Sequence, residues 1–182
     1  AASGIARMLE LSAAERLEMG LAFTALRERY DLVLLDTAAG IGQDVISFLA
    51  GANHVIVVVC DEPTSLTDAY ALIKVSASGR KVRRFQIVAN KVKDRAHGLQ
   101  VYKLLLNATD QFLDVNLSYL GAVPTDHRML ESLRERTPVV SLYPRTQASV
   151  AIRDIAASLE ERFNLDFETD GFAALFQKND MS

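Results

Sequence analysis

This sequence predicts an α/β fold, a mostly parallel sheet flanked by helices. Two patterns carry the prediction. First, four apolar stretches of strand length recur along the chain: "DLVLLD" at 31–36, "HVIVVVC" at 54–60, "RRFQIVAN" at 83–90 and "LSYLGAVP" at 117–124. None alternates cleanly between apolar and polar residues, and continuous apolar strands mark a parallel sheet covered on both faces. Second, helical patterns lie between them, and strands alternating with helices predict a layered α/β architecture.

Composition sets the outer limits. The 182 residues suffice for one ordinary domain with a core, at 49% apolar and 24% charged. A net charge of −3 gives no whole-chain footprint for nucleic acid. The single cysteine, Cys60, excludes an internal disulfide framework and suits a reducing compartment. No segment approaches the run of about 20 apolar residues that spans a bilayer. The start, "AASGIARMLEL", lacks a signal-peptide layout and an initiator methionine, which predicts a processed or truncated chain.

The first helix begins at Ser12, which forms an S-x-x-E capping box with Glu15, and ends near Tyr30. Its apolar stripe runs through Leu17, Leu21 and Ala25. Further helices are expected at Gln43 to Ala52, Leu66 to Val75, Leu99 to Leu113, Asp126 to Arg136 and Ser149 to Phe163, with a short "PVVSLYP" segment before the last. The tail "NLDFETDGFAALFQKNDMS" is acidic and then briefly apolar at Phe172, Leu175 and Phe176. The expected division is a domain over 1–165 and a tail over 166–182.

Parallel α/β sheets bind ligands at the carboxyl ends of their strands, so the turns after the four strands are the candidate site. Asp36 ends the first strand and precedes Thr37, Ala38, Ala39 and Gly40. A carboxylate there is a hard oxygen ligand suited to Mg²⁺, or it caps the helix beginning near Ile41. After the second strand, "CDEPTSLTD" places Glu62, Pro63, Thr64, Ser65 and Asp68 at a helix start, with Ser65 and Asp68 at capping-box spacing. Their hydroxyls and amides face a phosphate or a partner, or they simply cap the helix. Asn90 ends the third strand; its amide offers the donor and acceptor that a purine edge needs, although asparagine there is also an ordinary turn residue. Pro124 and Asp126 follow the fourth strand, where Asp126 or Thr125 also serves as an N-cap. His54, His97 and His127 have no metal-ligand spacing and read as surface or structural residues. No nucleophile–base constellation is apparent.

A phosphate site of this kind also needs a glycine-rich loop and a lysine. The nine glycines are scattered, and no G-x-x-x-x-G-K-[ST] pattern occurs in the chain.

The order and wording of these turns resemble the MinD/ParA-type deviant P-loop ATPases. "DLVLLDTAAGI" is similar to that family's Walker B strand and switch II, and "VIVVVCDEPTSLTDAYALIKV" to its next strand and helix. "ANKV" and "LGAVPTD" resemble its adenine-recognition turns, and "PVVSLYPRTQASVAIRDIA" its last segment. Within the family the wording is closest to the FlhG/FleN branch, which regulates flagellar number and placement. Ala38 departs from the proline of MinD, and "SASGRK" interrupts the helix end after "ALIKV".

The resemblance implies an incomplete SIMIBI-type P-loop NTPase fold, with the P-loop expected upstream of Ala1. It implies a cytoplasmic ATPase, with ATP and Mg²⁺ as cofactors of the intact parent, that dimerises on ATP. Asp36 would be the catalytic and metal residue, holding Mg²⁺ through water. Thr37, Ala39 and Gly40 would contact the nucleotide within the switch, and Asn90, Pro124 and Asp126 would cradle the adenine. Glu62, Pro63, Thr64, Ser65 and Asp68 would lie near the dimer face. Implied partners are a second copy, a flagellar SRP-like GTPase and a flagellar transcription activator, with duty at the division site as the other family role. Relatives also carry a membrane-adsorbing C-terminal helix, and peripheral membrane contact is expected only weakly here because 170–180 carries one lysine. The chain alone is expected neither to bind nor to hydrolyse ATP. The alternative is a non-catalytic α/β module that docks a partner. In the family the P-loop strand lies between the strands matching Leu32–Asp36 and Val55–Cys60. Without it, those apolar strands are expected to re-pair or to form an intertwined dimer.

Overall fold

The structure, a computed structural model, describes residues 13–78 and 82–163. Three parallel strands form its sheet: β1 (Ile56–Cys60), β2 (Arg84–Val92) and β3 (Asn116–Pro124), in the spatial order β1-β2-β3. Ahead of them come α1 (Ala13–Arg29) and α2 (Gln43–Gly51). Helix α3 (Pro63–Ala77) links β1 to β2, and α4 (Arg95–Asp110) links β2 to β3. The chain then forms α5 (His127–Arg134), the single turn α6 (Val139–Leu142) and α7 (Gln147–Phe163).

Both faces of β2 are covered, which explains its unbroken apolar sequence. On one face Val57, Val59, Phe85, Ile87 and Ala89 pack with Ala69 and Ile73 of α3 and Val101 and Leu105 of α4. On the other, Val88, Leu120 and Val123 pack with Ala148, Ile152 and Ile155 of α7. The pairing of β2 with β3 slips between Ile87 and Val88, where Tyr119 and Gly121 stand opposite. The extra residue, Leu120, turns toward α7, while Tyr119 and Ala122 stay against the α4 side.

Helix α4 lies close to the sheet because Gly98 has no side chain. A Cβ at Gly98 would stand 2.4 Å from Ala122 Cβ and 2.9 Å from Tyr119 Oη. Tyr102, one turn on, donates to the Leu117 carbonyl at 2.8 Å and packs its ring on Tyr119.

Three expectations need correction. Leu32–Asp36 is not a strand: the segment joins no ladder, and Leu34 is 72% exposed. A strand persists only when its backbone groups find a neighbour, and none stands beside this segment among the described residues. Nor does the sheet re-pair within the described residues, where β1 is bonded to β2 alone. Val58 of β1 is accordingly 58% exposed on the α7 side of the sheet. Finally, Ser65 and Asp68 do not form a capping box. The N-cap of α3 is Glu62, without a side-chain bond, and Pro63 opens the helix, where its missing N–H costs nothing. The Ser12–Glu15 capping box, the "GRK" of "SASGRK" and the tail fall outside the described residues or side chains.

The Gly98 contact has a measurable consequence. Overpacking costs about 1–3 kcal/mol, whereas alanine gains about 1 kcal/mol over glycine in helix propensity. Gly98→Ala is therefore expected to lower stability in urea unfolding, and an unchanged or raised midpoint would show that α4 does not approach β3 this closely.

Candidate functional site at the carboxyl edge of the sheet

Parallel register brings the strand ends into one row. Cys60 stands opposite Asn90, Asn90 opposite Val123, and Val92 opposite Pro124. The turns that follow, Asp61–Glu62, Lys93–Asp94 and Thr125–Asp126, therefore share one edge. Of the residues expected there, Asn90, Pro124 and Asp126 stand at or just past the strand ends, Glu62 and Pro63 follow β1, and Ser65 bonds back to Cys60, while Thr64 and Asp68 lie within the first two turns of α3. Asp36, Thr37, Ala39 and Gly40 are not tied to it by any ladder. Asp36 does not cap a helix either, because α2 begins after Gly42. Gly40 adopts φ +111, a conformation that side chains rarely tolerate, with open space around its Cα.

Each turn is built by a different local bond. After β1, the Cys60 N–H points away from the β2 ladder and donates to Ser65 Oγ at 3.0 Å. Ser65 thus closes the turn onto α3 from within the helix. After β2, Lys91 N–H donates to Asn90 Oδ1 at 2.9 Å, and Lys91 takes the left-handed conformation at φ 54. That bond fixes the orientation of the Asn90 amide. Its Nδ2 group, without a protein partner among the described residues, is the end free to meet a ligand. The chain then returns to the ladder, where the Val92 carbonyl accepts from Thr125 N–H at 2.8 Å.

After β3, Asp126 is the N-cap of α5 and accepts from Arg128 N–H at 2.9 Å. Its second oxygen accepts from Ala148 N–H at 3.5 Å, tying the start of α7 to this turn. The backbone bond from Arg128 holds the Asp126 carboxyl below its ordinary range, against some desolvation. Both oxygens are engaged, so Asp126 shapes the turn, as its reading as an N-cap expects. Beyond it, Glu131 accepts from Arg128 and from Tyr143 Oη, and the Arg128 guanidinium lies 4.7 Å from the Tyr143 ring centroid. Glu131 is held below the usual carboxylate range, first by its bond from Arg128.

One pair at this edge is invisible in the sequence. His97 Nε2 lies 2.8 Å from Asp61 Oδ2, joining the turn after β1 to the first turn of α4. The His97 ring is engaged in this bridge, with a partner 36 residues away that only the register brings near. Cys60, half-buried at the end of β1, is the free cysteine of this edge. The described residues hold no cluster of three or more His, Cys, Asp or Glu that could bind a metal. None of their helices is long and apolar enough to cross a membrane.

No family model matches the chain. The antiactivator FleN of Pseudomonas aeruginosa is 39% identical to it over 160 residues, which are 88% of this chain and 57% of FleN. The flagellum site-determining protein YlxH of Helicobacter pylori is 27% identical over 172 residues, 92% of this chain and 58% of that protein. The crystal structure of a ParA family ATPase from Chlorobium tepidum matches with a TM-score of 0.60 over 84% of this chain and 58% of that one. At 18% identity it shows the fold alone. The chain spans a little over half the length of FleN and of YlxH.

Asp126 gives the site a pH signature. Its folded-state carboxyl titrates below the ordinary value of about 3.9, so the stability it contributes is complete above that value. It is lost as pH falls through the lower folded value. Asp126→Asn, which caps about as well, is expected to flatten the loss of stability below pH ~4, as read by thermal unfolding against pH. An Asn variant with the wild-type acid profile would contradict this.

Proposed function

The chain belongs to the MinD/ParA family, and from that premise we propose that it forms the base-reading side of an ATP-driven switch. The observation that carries the proposal is the row of strand ends Cys60, Asn90 and Val123 beside the unpaired edge of β1. Asn90 offers its Nδ2 donor to the base, and Pro124 and Asp126 form the opposite wall, with Asp126 acting through the turn it caps. In the whole protein a phosphate-binding strand and loop fill the space between β1 and Leu32–Asp36. That pairing makes Leu32–Asp36 a strand. Asp36 is then the residue that would hold Mg²⁺ through water; the exposed carboxylate and Gly40 behind it, at φ +111 in open space, suit this role. Bound Mg²⁺ supplies charge neutralisation on the phosphates. Thr37, Ala39 and Gly40 respond to the terminal phosphate, and Glu62, Pro63, Thr64, Ser65 and Asp68 border the face on which two copies meet.

FleN is named an antiactivator and YlxH a flagellum site-determining protein. We extend both descriptions to this protein: a cytoplasmic, ATP-dependent homodimer that restrains a flagellar transcription activator and acts with a flagellar SRP-like GTPase to set flagellar number or placement.

Calorimetry tests the division of labour. The 182-residue chain is expected to show no micromolar Mg-ATP binding, because the backbone donors and lysine of the phosphate cradle supply much of the affinity. A longer form carrying a P-loop ahead of residue 1 is expected to bind. In that form Asp36→Ala should lower turnover by on the order of 100-fold with ATP still bound. Tight binding by the chain alone would overturn the proposal. Partner binding by a longer form that ignores ATP would favour a non-catalytic docking module.

A further inference from the structure

We infer that His97 is a positioning residue, whose ring couples the Asp61–Asp68 turn to the base-reading turn Asn90–Asp94. The inference rests on the nucleotide reading only for what the second turn does; the coupling itself stands on geometry.

Lys93 N–H donates to His97 Nδ1 at 3.1 Å. A backbone N–H can only donate, so Nδ1 is the bare acceptor and the ring hydrogen sits on Nε2. Nε2 then donates to Asp61 Oδ2 at 2.8 Å. The ring is thus held at both ends, by the turn after β1 and by the turn after β2. Helix capping does not require this. The N-cap of α4 is Asp94, which accepts from the His97 backbone N–H at 2.8 Å. The ring is a separate device on the same residue.

What it holds is a turn under strain. Lys91 is one of two non-glycine residues at positive φ among those described, and such a conformation persists only where its surroundings fix it. On one side of Lys91 the Asn90 side chain grips the Lys91 N–H, and on the other Val92 is locked into the ladder. Lys93 follows, and among the described residues its N–H is held by the ring. Release of Asp61 frees the ring, the ring frees Lys93, and the Asn90 amide loses its set direction. A partner or second copy pressing on Glu62–Asp68 would thereby act on the site that reads the base.

The test is NMR on the 182-residue chain, without nucleotide. The wild-type ring is expected to show the neutral Nε2–H tautomer by its two nitrogen shifts. Asp61→Ala should shift the Lys91 and Lys93 amides and speed Lys93 hydrogen exchange by about tenfold or more, leaving Val101 and Leu105 unchanged. Asp61→Asn keeps an acceptor for Nε2–H and should restore the wild-type pattern; a merely structural role for the carboxylate predicts no such rescue. His97→Ala should reproduce Asp61→Ala. An Nδ1–H tautomer, or Lys91–Lys93 amides indifferent to Asp61→Ala, would overturn the inference. If an alanine variant does not fold, the wild-type tautomer and the Asp61→Asn spectrum still decide. None of these readouts needs ATP, so a chain that shows the coupling but never binds nucleotide in a longer form would sink the nucleotide reading alone.

Discussion

The pairing of β2 with a parallel neighbour on each side is the interaction on which the rest of the molecule depends. It buries Phe85, Ile87, Val88 and Ala89 between two helical layers. It also fixes the register that sets Cys60, Asn90 and Val123 side by side. Parallel strands all end at the same edge, so every loop leaving them carries its polar residues to one place. The site is a consequence of the ladder: Asn90, Pro124 and Asp126 are 36 residues apart at their extremes, and only the pairing joins them. The same register creates the Asp61–His97 bridge.

Among the described residues β1 has this support on one side only. Alternate N–H groups of a parallel strand face opposite neighbours. At the end of β1 the outward N–H of Cys60 is satisfied by Ser65. Val58, two residues back, faces the same open side and exposes its side chain as well. The sequence "IVVVC" carries no lysine or proline, the usual protection of an edge strand. An apolar strand without edge protection is built to be interior to a sheet, and Leu32–Leu35, apolar and exposed, is its counterpart. A phosphate-binding strand between the two would turn both liabilities into ladder, and would bring Asp36 to the edge where Asn90 already stands.

The sequence showed the three paired strands and the helices after them, because each is a continuous apolar run or a 3.6-residue stripe. Its reading of Leu32–Asp36 as a strand failed for a physical reason: strand propensity is local, but a strand exists only with a partner. Ser65 and Asp68 at capping-box spacing misled similarly. Pro63 moved the helix start upstream of Ser65, and the hydroxyl turned to Cys60 N–H instead. Asn90, Pro124 and Asp126 were legible as strand-end residues, but the engagement of both Asp126 oxygens was not. His97 gave no signal, because its partners Lys93 and Asp61 belong to two different turns and nothing in the spacing pairs them.

The central claim is that, among the described residues, the sheet ends at β1 with its outer edge unpaired. Residue-resolved hydrogen exchange across β1 tests it most directly. The account predicts slow exchange at Val57 and Val59, whose N–H groups face β2, and fast exchange at Val58, whose N–H faces outward. Protection of Val58 equal to that of its neighbours would mean that another strand, from this chain or a second copy, already occupies the edge, and the account would be contradicted.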